Sequence, residues 1–294
     1  MDKMKIEKTV KGAYDAIARA GSSNFCCRPA AIYAIKELED IPPSVLELSS
    51  GCGNPISAVD IQIGEVVLDI GSGGGIDLFL VAKKVGETGV VIGVDASENM
   101  IKRARRSVKE SKFKNIEIRK GDARQLPVNE GAVDVVISNC VISTIPEKSE
   151  VFREIFRVLK PGGRMIISDI IADGDIKEEK LINSPEAWAK CIAGIPEKDY
   201  LEAISNAHFE NIEVVERNRV PFPDCEVLSL KVRAWKSREL PFGLSLHEQR
   251  QGRSLSLKAI TPTEKLWSER TFIDYKMSTP QCCSTTYYCA CSSY

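Results

Sequence analysis

Proton-transfer side chains are scarce in this sequence: it has two histidines, His208 and His247, and neither falls in a glycine-rich motif. His208, immediately before Phe209, reads as packing or surface. An excess of one charge is also lacking. The 40 lysines and arginines nearly balance 41 aspartates and glutamates, for a net charge of -1. No basic stripe interleaved with aromatics stands out, so a nucleic-acid partner is not expected. The charged start Met1-Asp2-Lys3-Met4-Lys5 is followed by no long apolar run, so neither a signal peptide nor a transmembrane helix is expected. A cytoplasmic, monomeric protein with no membrane partner is the resulting expectation. No segment repeats, and no Cys-x-x-Cys pair occurs.

What is present is a chain of 294 residues with 43% hydrophobic content, enough for one good-sized core with an elaboration. It also has ten cysteines. In a reducing compartment these are better read as ligands, nucleophiles or redox groups than as a disulfide framework.

The chain is organised around Val66-Val67-Leu68-Asp69-Ile70-Gly71-Ser72-Gly73-Gly74-Gly75. An apolar run with one aspartate, then glycines at alternate positions, reads as a buried parallel strand turning sharply into a helix over Ile76 to Val85. Gly71, Gly73 and Gly75 supply positive φ and, lacking Cβ, let a ligand lie against backbone amides. A dinucleotide fingerprint would put its third glycine where Ile76 stands, so the spacing leans away from NAD or FAD. The next strand, Val90 to Val94, ends in Asp95, at the distance where a carboxylate accepts both hydroxyls of a ribose. An adenosine-containing ligand is expected.

Further strands are expected at Ile116–Lys120, Val133–Ser138 and Arg164–Asp169, with helices over Glu98–Glu110, behind the N-cap Ser97, and Glu147–Leu159. Asp122 and Ala123 stand where a carboxylate and the next amide meet an adenine edge, Asn139 and Cys140 end the fourth strand, and Met100 could touch the adenine. Strand ends thus offer polar groups along one edge, where open α/β sheets bind ligands. Helices are expected over 5–20 and 29–39, with Cys26 and Cys27 before the second. Asn211–Glu216 and Leu228–Trp235 alternate as a closing antiparallel pair joined by a proline-rich link holding Cys225. Cys140 reads as a small buried hydrophobe, and Trp188 as a core anchor.

Loop and cofactor motifs together resemble the class I S-adenosylmethionine (AdoMet)-dependent methyltransferases, and Leu159-Lys160-Pro161-Gly162-Gly163 resembles the turn before their fifth strand. The implied fold is α/β, a Rossmann-like seven-stranded sheet with its last strand antiparallel. N-terminal capping helices and the Cys52 loop take 1–60, and the AdoMet-binding core 61–172. A helical insertion over the active site with the closing strands takes 173–236, and a cysteine-containing disordered tail 237–294. Implied cofactor contacts are Asp69, Gly71, Ser72, Gly73, Asp95, Met100, Asp122, Ala123 and Asn139.

More narrowly, Gly51-Cys52-Gly53-Asn54-Pro55, Ile137-Ser138-Asn139-Cys140-Val141 and Trp188-Ala189-Lys190-Cys191-Ile192-Ala193-Gly194, in this order, resemble the arsenite methyltransferases over roughly residues 10–236. The resemblance implies that Cys52, Cys191 and Cys225 hold As(III) as three thiolates, and that Cys26 and Cys27 take part in relay or disulfide exchange. It implies arsenite, as such or as thiol conjugates, as substrate, and thioredoxin or glutathione as thiol reductant. Soft thiolates suit a soft acceptor. An arsenic lone pair attacking a sulfonium methyl needs no proton removed, in keeping with the two histidines. Structural zinc would want a fourth ligand. Two alternatives stay open: a methyltransferase for a quinone or sterol with incidental cysteines, and a non-catalytic metalloid binder.

Overall fold

A computed structural model describes residues 3–21, 32–49, 51, 53–173, 189, 195–222 and 225–238, with 220–222 and 225–226 by backbone only. All described residues fall in one compact unit, Met1–Leu240. The expected disordered tail, the cysteines at 26, 27, 52 and 191, and Trp188 lie outside the described residues.

Helix α1 covers Lys3–Ala20, and α2 (Ile35–Leu38) and α3 (Pro43–Leu46) are single turns. The expected helix over 29–39 is therefore shorter in its described part, and Ile35 is left exposed. After a 3-10 turn over Pro55–Ala58 the alternation begins: β1 (Val66–Ile70), α4 (Ile76–Val85), β2 (Val90–Asp95), α5 (Glu98–Glu110), β3 (Ile116–Lys120), β4 (Val133–Asn139), α6 (Lys148–Val158) and β5 (Leu159–Ala172). Helix α7 (Glu197–Asn206), β6 (Glu210–Phe222) and β7 (Cys225–Trp235) complete it.

One seven-stranded sheet has the order β3-β2-β1-β4-β5-β7-β6. Strands β1 to β5 are parallel, and β7 runs antiparallel to both β5 and β6. The order reverses between β1 and β4, which opens a crevice at their carboxyl ends. Strands β1 and β4 are buried almost throughout because helices cover both faces. On one face α4 sends Leu78, Phe79 and Val81 onto Val67, Val91 and Ile137. On the other, Phe152 and Ile155 of α6 and Tyr200 of α7 meet Leu68, Val136 and Ile167. Phe152 and Tyr200 pack edge to face with centroids 5.4 Å apart.

Strand β5 begins earlier than its apolar run. The expected Lys-Pro-Gly-Gly turn lies within it as an irregularity, where the register with β4 jumps from Val133↔Leu159 to Val135↔Arg164. Gly162 there has φ +78°, a conformation that favours glycine. Strands β6 and β7 are also longer than their alternating cores. They form a tight hairpin closing at Phe222↔Cys225, so Cys225 opens a strand instead of sitting in a loose link.

Candidate active site

A cavity of about 350 Å³ opens at the carboxyl ends of β1, β2 and β4, within the size range of small-molecule sites. Gly71, Gly73, Asp95, Asp122, Ala123 and Asn139 all line it. The glycine loop is shaped for close approach. Gly71 and Gly73 have φ of +71° and +51°, and a Cβ at Gly71 would fall 2.2 Å from Val141 Cγ2. Around Gly73 the space is open, with no foreign atom nearer than 3.9 Å to such a Cβ. The backbone there is bare toward the cavity, as a ligand lying on it requires.

Asp95 is held from within the fold: the Gly73 amide donates to Oδ2 at 2.9 Å and the Ser97 amide to Oδ1 at 2.7 Å. Burial raises its pKa, and these backbone donors oppose the rise. The remaining lone pairs of the carboxylate can accept from ligand hydroxyls. Asp122 is engaged differently. Its carboxylate accepts from the Arg124 amide at 2.8 Å and from two guanidinium nitrogens at 2.9 and 2.7 Å. The Arg124 side chain, against the opposing effect of burial, holds the Asp122 carboxyl below its ordinary pKa.

Three expected contacts do not line the cavity. Asp69 is buried in β1 under the loop, and its pKa is raised by burial and by the carboxyls of Asp77 and Asp95. Ser72 is buried with no hydrogen-bond partner for its hydroxyl. Met100 packs inward with Ile101 and Ala104 on the core face of α5.

Asn139 lines the cavity, yet its amide is directed at Gly53. The Gly53 N–H donates to Oδ1 at 3.2 Å, and Nδ2 donates to the Gly53 carbonyl at 2.7 Å. Next to it, Cys140 is not the inert hydrophobe expected. It carries a disulfide, lines the cavity and adopts a left-handed φ of +59°. The turn that lets its amide reach the Ser168 carbonyl at 2.7 Å costs that strain, since only short polar residues and glycine visit this region readily.

Helix α1 supplies a wall the sequence patterns do not assign to the site. Glu7, Val10, Lys11 and Tyr14 line the cavity, at a spacing of three, one and three that places them on one helical face. That spacing is the available signal. Two latches tie the helix down: Asp15 accepts from Ser97 Oγ at 2.5 Å, and Glu7 pairs with Arg124 at 2.5 Å.

A methyltransferase domain family matches residues 61–211, spanning β1 through the start of β6. The chain belongs to this methyltransferase-domain family. Its fold, with the antiparallel β7 between β5 and β6, is the class I methyltransferase fold. Among similar proteins, the arsenite methyltransferase of Halobacterium salinarum is 42% identical over 173 residues, 58% of this chain and 44% of that protein. That of Aquipseudomonas alcaligenes is 30% identical over 232 residues, 74% of this chain and 66% of that protein. The chain thus spans about half to two thirds of these relatives' own length. An arsenic (III) S-adenosylmethionine methyltransferase of Chlamydomonas reinhardtii has a crystal structure that matches with a TM-score of 0.63 at 29% identity, covering 69% of this chain and 73% of that one. No described helix of the methyltransferase domain is long and apolar enough to cross a membrane.

Proposed function

We propose that this methyltransferase transfers methyl groups from AdoMet to As(III) held by cysteine thiolates. The observation that carries the reading is the pinning of Gly53 to Asn139. It holds Gly53, the residue after Cys52, against a side chain that lines the cavity. That contact supports a thiol-bearing loop beside the cofactor loop, and soft thiolates suit a soft acceptor.

The cavity residues fit AdoMet. Gly71 and Gly73 would let its amino-acid portion lie on the loop, Asp95 would accept from its ribose hydroxyls, and Asp122 with Ala123 would meet its adenine. When bound, AdoMet supplies a methyl group on a sulfonium. The protein's part is placement and dryness. Helix α1 closes one side of the cavity, and holding arsenic in register with the methyl is the largest saving available to such a step.

Cys52, Cys191 and Cys225 are proposed as the arsenic ligands, with Cys26 and Cys27 in disulfide exchange. Support for Cys225 comes from register. Ala172 at the end of β5 pairs with Val227, so Cys225 lies two residues past the carboxyl end of β5, at the end of the sheet toward which the cavity opens. Cys140, which lines the cavity, is bonded in a disulfide and would join this set only after reduction. The reductant is proposed to be a dithiol or glutathione-type thiol, the protein cytoplasmic and monomeric, and its role arsenic detoxification.

Incubation of the purified protein with AdoMet, arsenite and a thiol reductant, with arsenic species separated over time, tests the reading. Methylated arsenic is expected from the wild type and little from Cys52→Ser or Cys191→Ser. Absence of methylated arsenic while AdoMet still binds would sink it.

A further inference from the structure

Asn139 ends β4 where three chain segments meet, and its single amide serves all of them. Besides its two bonds to Gly53, Nδ2 lies 3.2 Å from Asp77 Oδ2 and 3.2 Å from the Tyr33 hydroxyl. That hydroxyl donates to Asp77 Oδ1 at 2.8 Å. Asp77 sits in the first turn of α4, directly behind the glycine loop. One amide therefore joins Gly53, Tyr33 and the first turn of the helix that follows the glycine loop.

Steric constraints make the seat narrow. A Cβ on Gly51 would fall 2.5 Å from Asn139 Nδ2, and a Cβ on Gly53 would fall 1.9 Å from Ser168 Oγ. Neither glycine can carry a side chain without displacing the Asn139 amide or the Ser168 side chain. The two glycines around Cys52 are thus better explained by close backbone approach than by a need for looseness.

We propose that Asn139 is a positioning residue for the thiol site: its amide fixes Gly53, the residue after Cys52, against the helix behind the glycine loop. This rests on reading Cys52 as an arsenic ligand. The chemistry requires an amide. Gly53 presents its own N–H and carbonyl, from two successive peptide units, and a planar group with both a donor and an acceptor answers both at once. A carboxylate at 139 would lose the donor to Gly53 and add a third buried acid beside Asp69 and Asp77. Tyr33 supports the arrangement by occupying one oxygen of Asp77 and leaving the other to orient Nδ2.

Binding of phenylarsine oxide, a trivalent arsenical that bridges thiols, reads this role without turnover. The probe is titrated into reduced full-length protein with no AdoMet present, using wild type, Asn139→Ala, Tyr33→Phe and Cys52→Ser. The expected result is about tenfold weaker binding for Asn139→Ala, the scale of one or two lost hydrogen bonds, and a smaller loss for Tyr33→Phe. In turnover the KM for arsenite should rise more than kcat falls. Tyr33→Phe removes one oxygen and keeps the ring, so it carries the test if Asn139→Ala fails to fold. Wild-type affinity in both folded variants, with Cys52→Ser weakened, would overturn the positioning role alone. Wild-type affinity in Cys52→Ser would overturn the Cys52 reading and this inference with it. A wild type that binds the probe with the expected variant pattern but forms no methylated arsenic would uphold the positioning role and remove the proposed activity.

Discussion

Arg124 grips Asp122 through two guanidinium nitrogens, Nε at 2.9 Å and Nη2 at 2.7 Å, while its Nη1 pairs with Glu7 of α1 at 2.5 Å and with Glu147 at 3.2 Å. An acid expected to read adenine is therefore also the anchor of an ion-pair cluster that ties the N-terminal helix over the cavity. Lys3 adds to the cluster through Glu147 at 2.7 Å.

Removing the arginine should loosen the helix more than it frees the acid. For Arg124→Ala the expected outcome is AdoMet binding weakened about three- to tenfold, the scale of an exposed charge network of about 1 kcal/mol. Equilibrium dialysis with labelled AdoMet measures it. Because such pairs are screened by salt, the gap between wild type and variant should narrow in high salt. Equal affinities at low salt would show that the latch carries no weight in binding.

Asp169 gives a pH signature. Burial pushes its carboxyl up to about 6 from an ordinary 3.8, against the Tyr200 hydroxyl at 2.7 Å, the nearby Lys148 charge and Ser143. A pKa raised by folding means the native state holds its proton more tightly than the unfolded chain. Its contribution to stability is thus fullest below about pH 4 and is lost as pH rises through about 6. Asp169→Asn keeps an acceptor for Tyr200 and the Ser143 amide but has no proton to lose. In urea titrations the variant should gain on wild type between pH 4 and 7, by up to about 3 kcal/mol, because a tenfold difference in proton affinity between the two states is worth roughly 1.4 kcal/mol. The difference between the two proteins is the quantity to follow, because Asp15, Asp122 and Glu154, all with lowered pKa values, pull the raw curves the other way. A difference that stays flat across this range would contradict the assignment.

The sheet is legible in the sequence because its signals are local. The run Val66–Ile70, the glycine spacing after it and the N-cap Ser97 each act within a few residues, and α4, α5 and β3 begin and end where those signals put them. Strand lengths are less so. The ends of β5, β6 and β7 are set by partners across the sheet, such as Arg164↔Trp235 and Phe222↔Cys225, and leave no periodic trace. The same holds for the site. Gly71, Gly73 and Asp95 announce themselves by spacing, whereas Asn139 meets Gly53 across 86 positions and Tyr33 meets Asp77 across 44. No pattern in the intervening chain records such contacts. Cys140 defeats a local reading because its apolar neighbours indicate burial, and burial does not tell a packed thiol from a bonded one.

Gly53 offers a steric test of the seat on which the thiol loop rests. A methyl there would meet Ser168 Oγ at 1.9 Å and Ser168 Cβ at 2.9 Å, closer than atoms can approach. Gly53→Ala should therefore lose most arsenite methylation. Ser168→Gly in the same chain removes both obstructing atoms, at a cost of roughly 1 kcal/mol for a glycine inside a strand. Partial recovery in the double variant, against a Ser168→Gly control, is the expected interaction. Additive losses would mean that the contact is not what excludes the side chain.

Under the proposed function, the Cys140 disulfide would tie arsenite methylation to the oxidation state of the protein. Its sulfur is bonded in a disulfide at the rim of the cavity, and a sulfur so bonded has no thiolate to offer a metalloid. Opening that bond takes two electrons and two protons from an external dithiol, leaving two thiols and an oxidised reductant. Protein purified without reductant should therefore show little arsenite methylation, and dithiothreitol should restore it. Iodoacetamide labelling followed by peptide mass mapping should modify position 140 only after reduction, while AdoMet binding should change far less than turnover between the two states. Labelling of Cys140 in untreated protein, or equal methylation with and without dithiothreitol, would separate the disulfide from the catalytic cycle. The chemistry at this edge would then have to run on the remaining thiols alone.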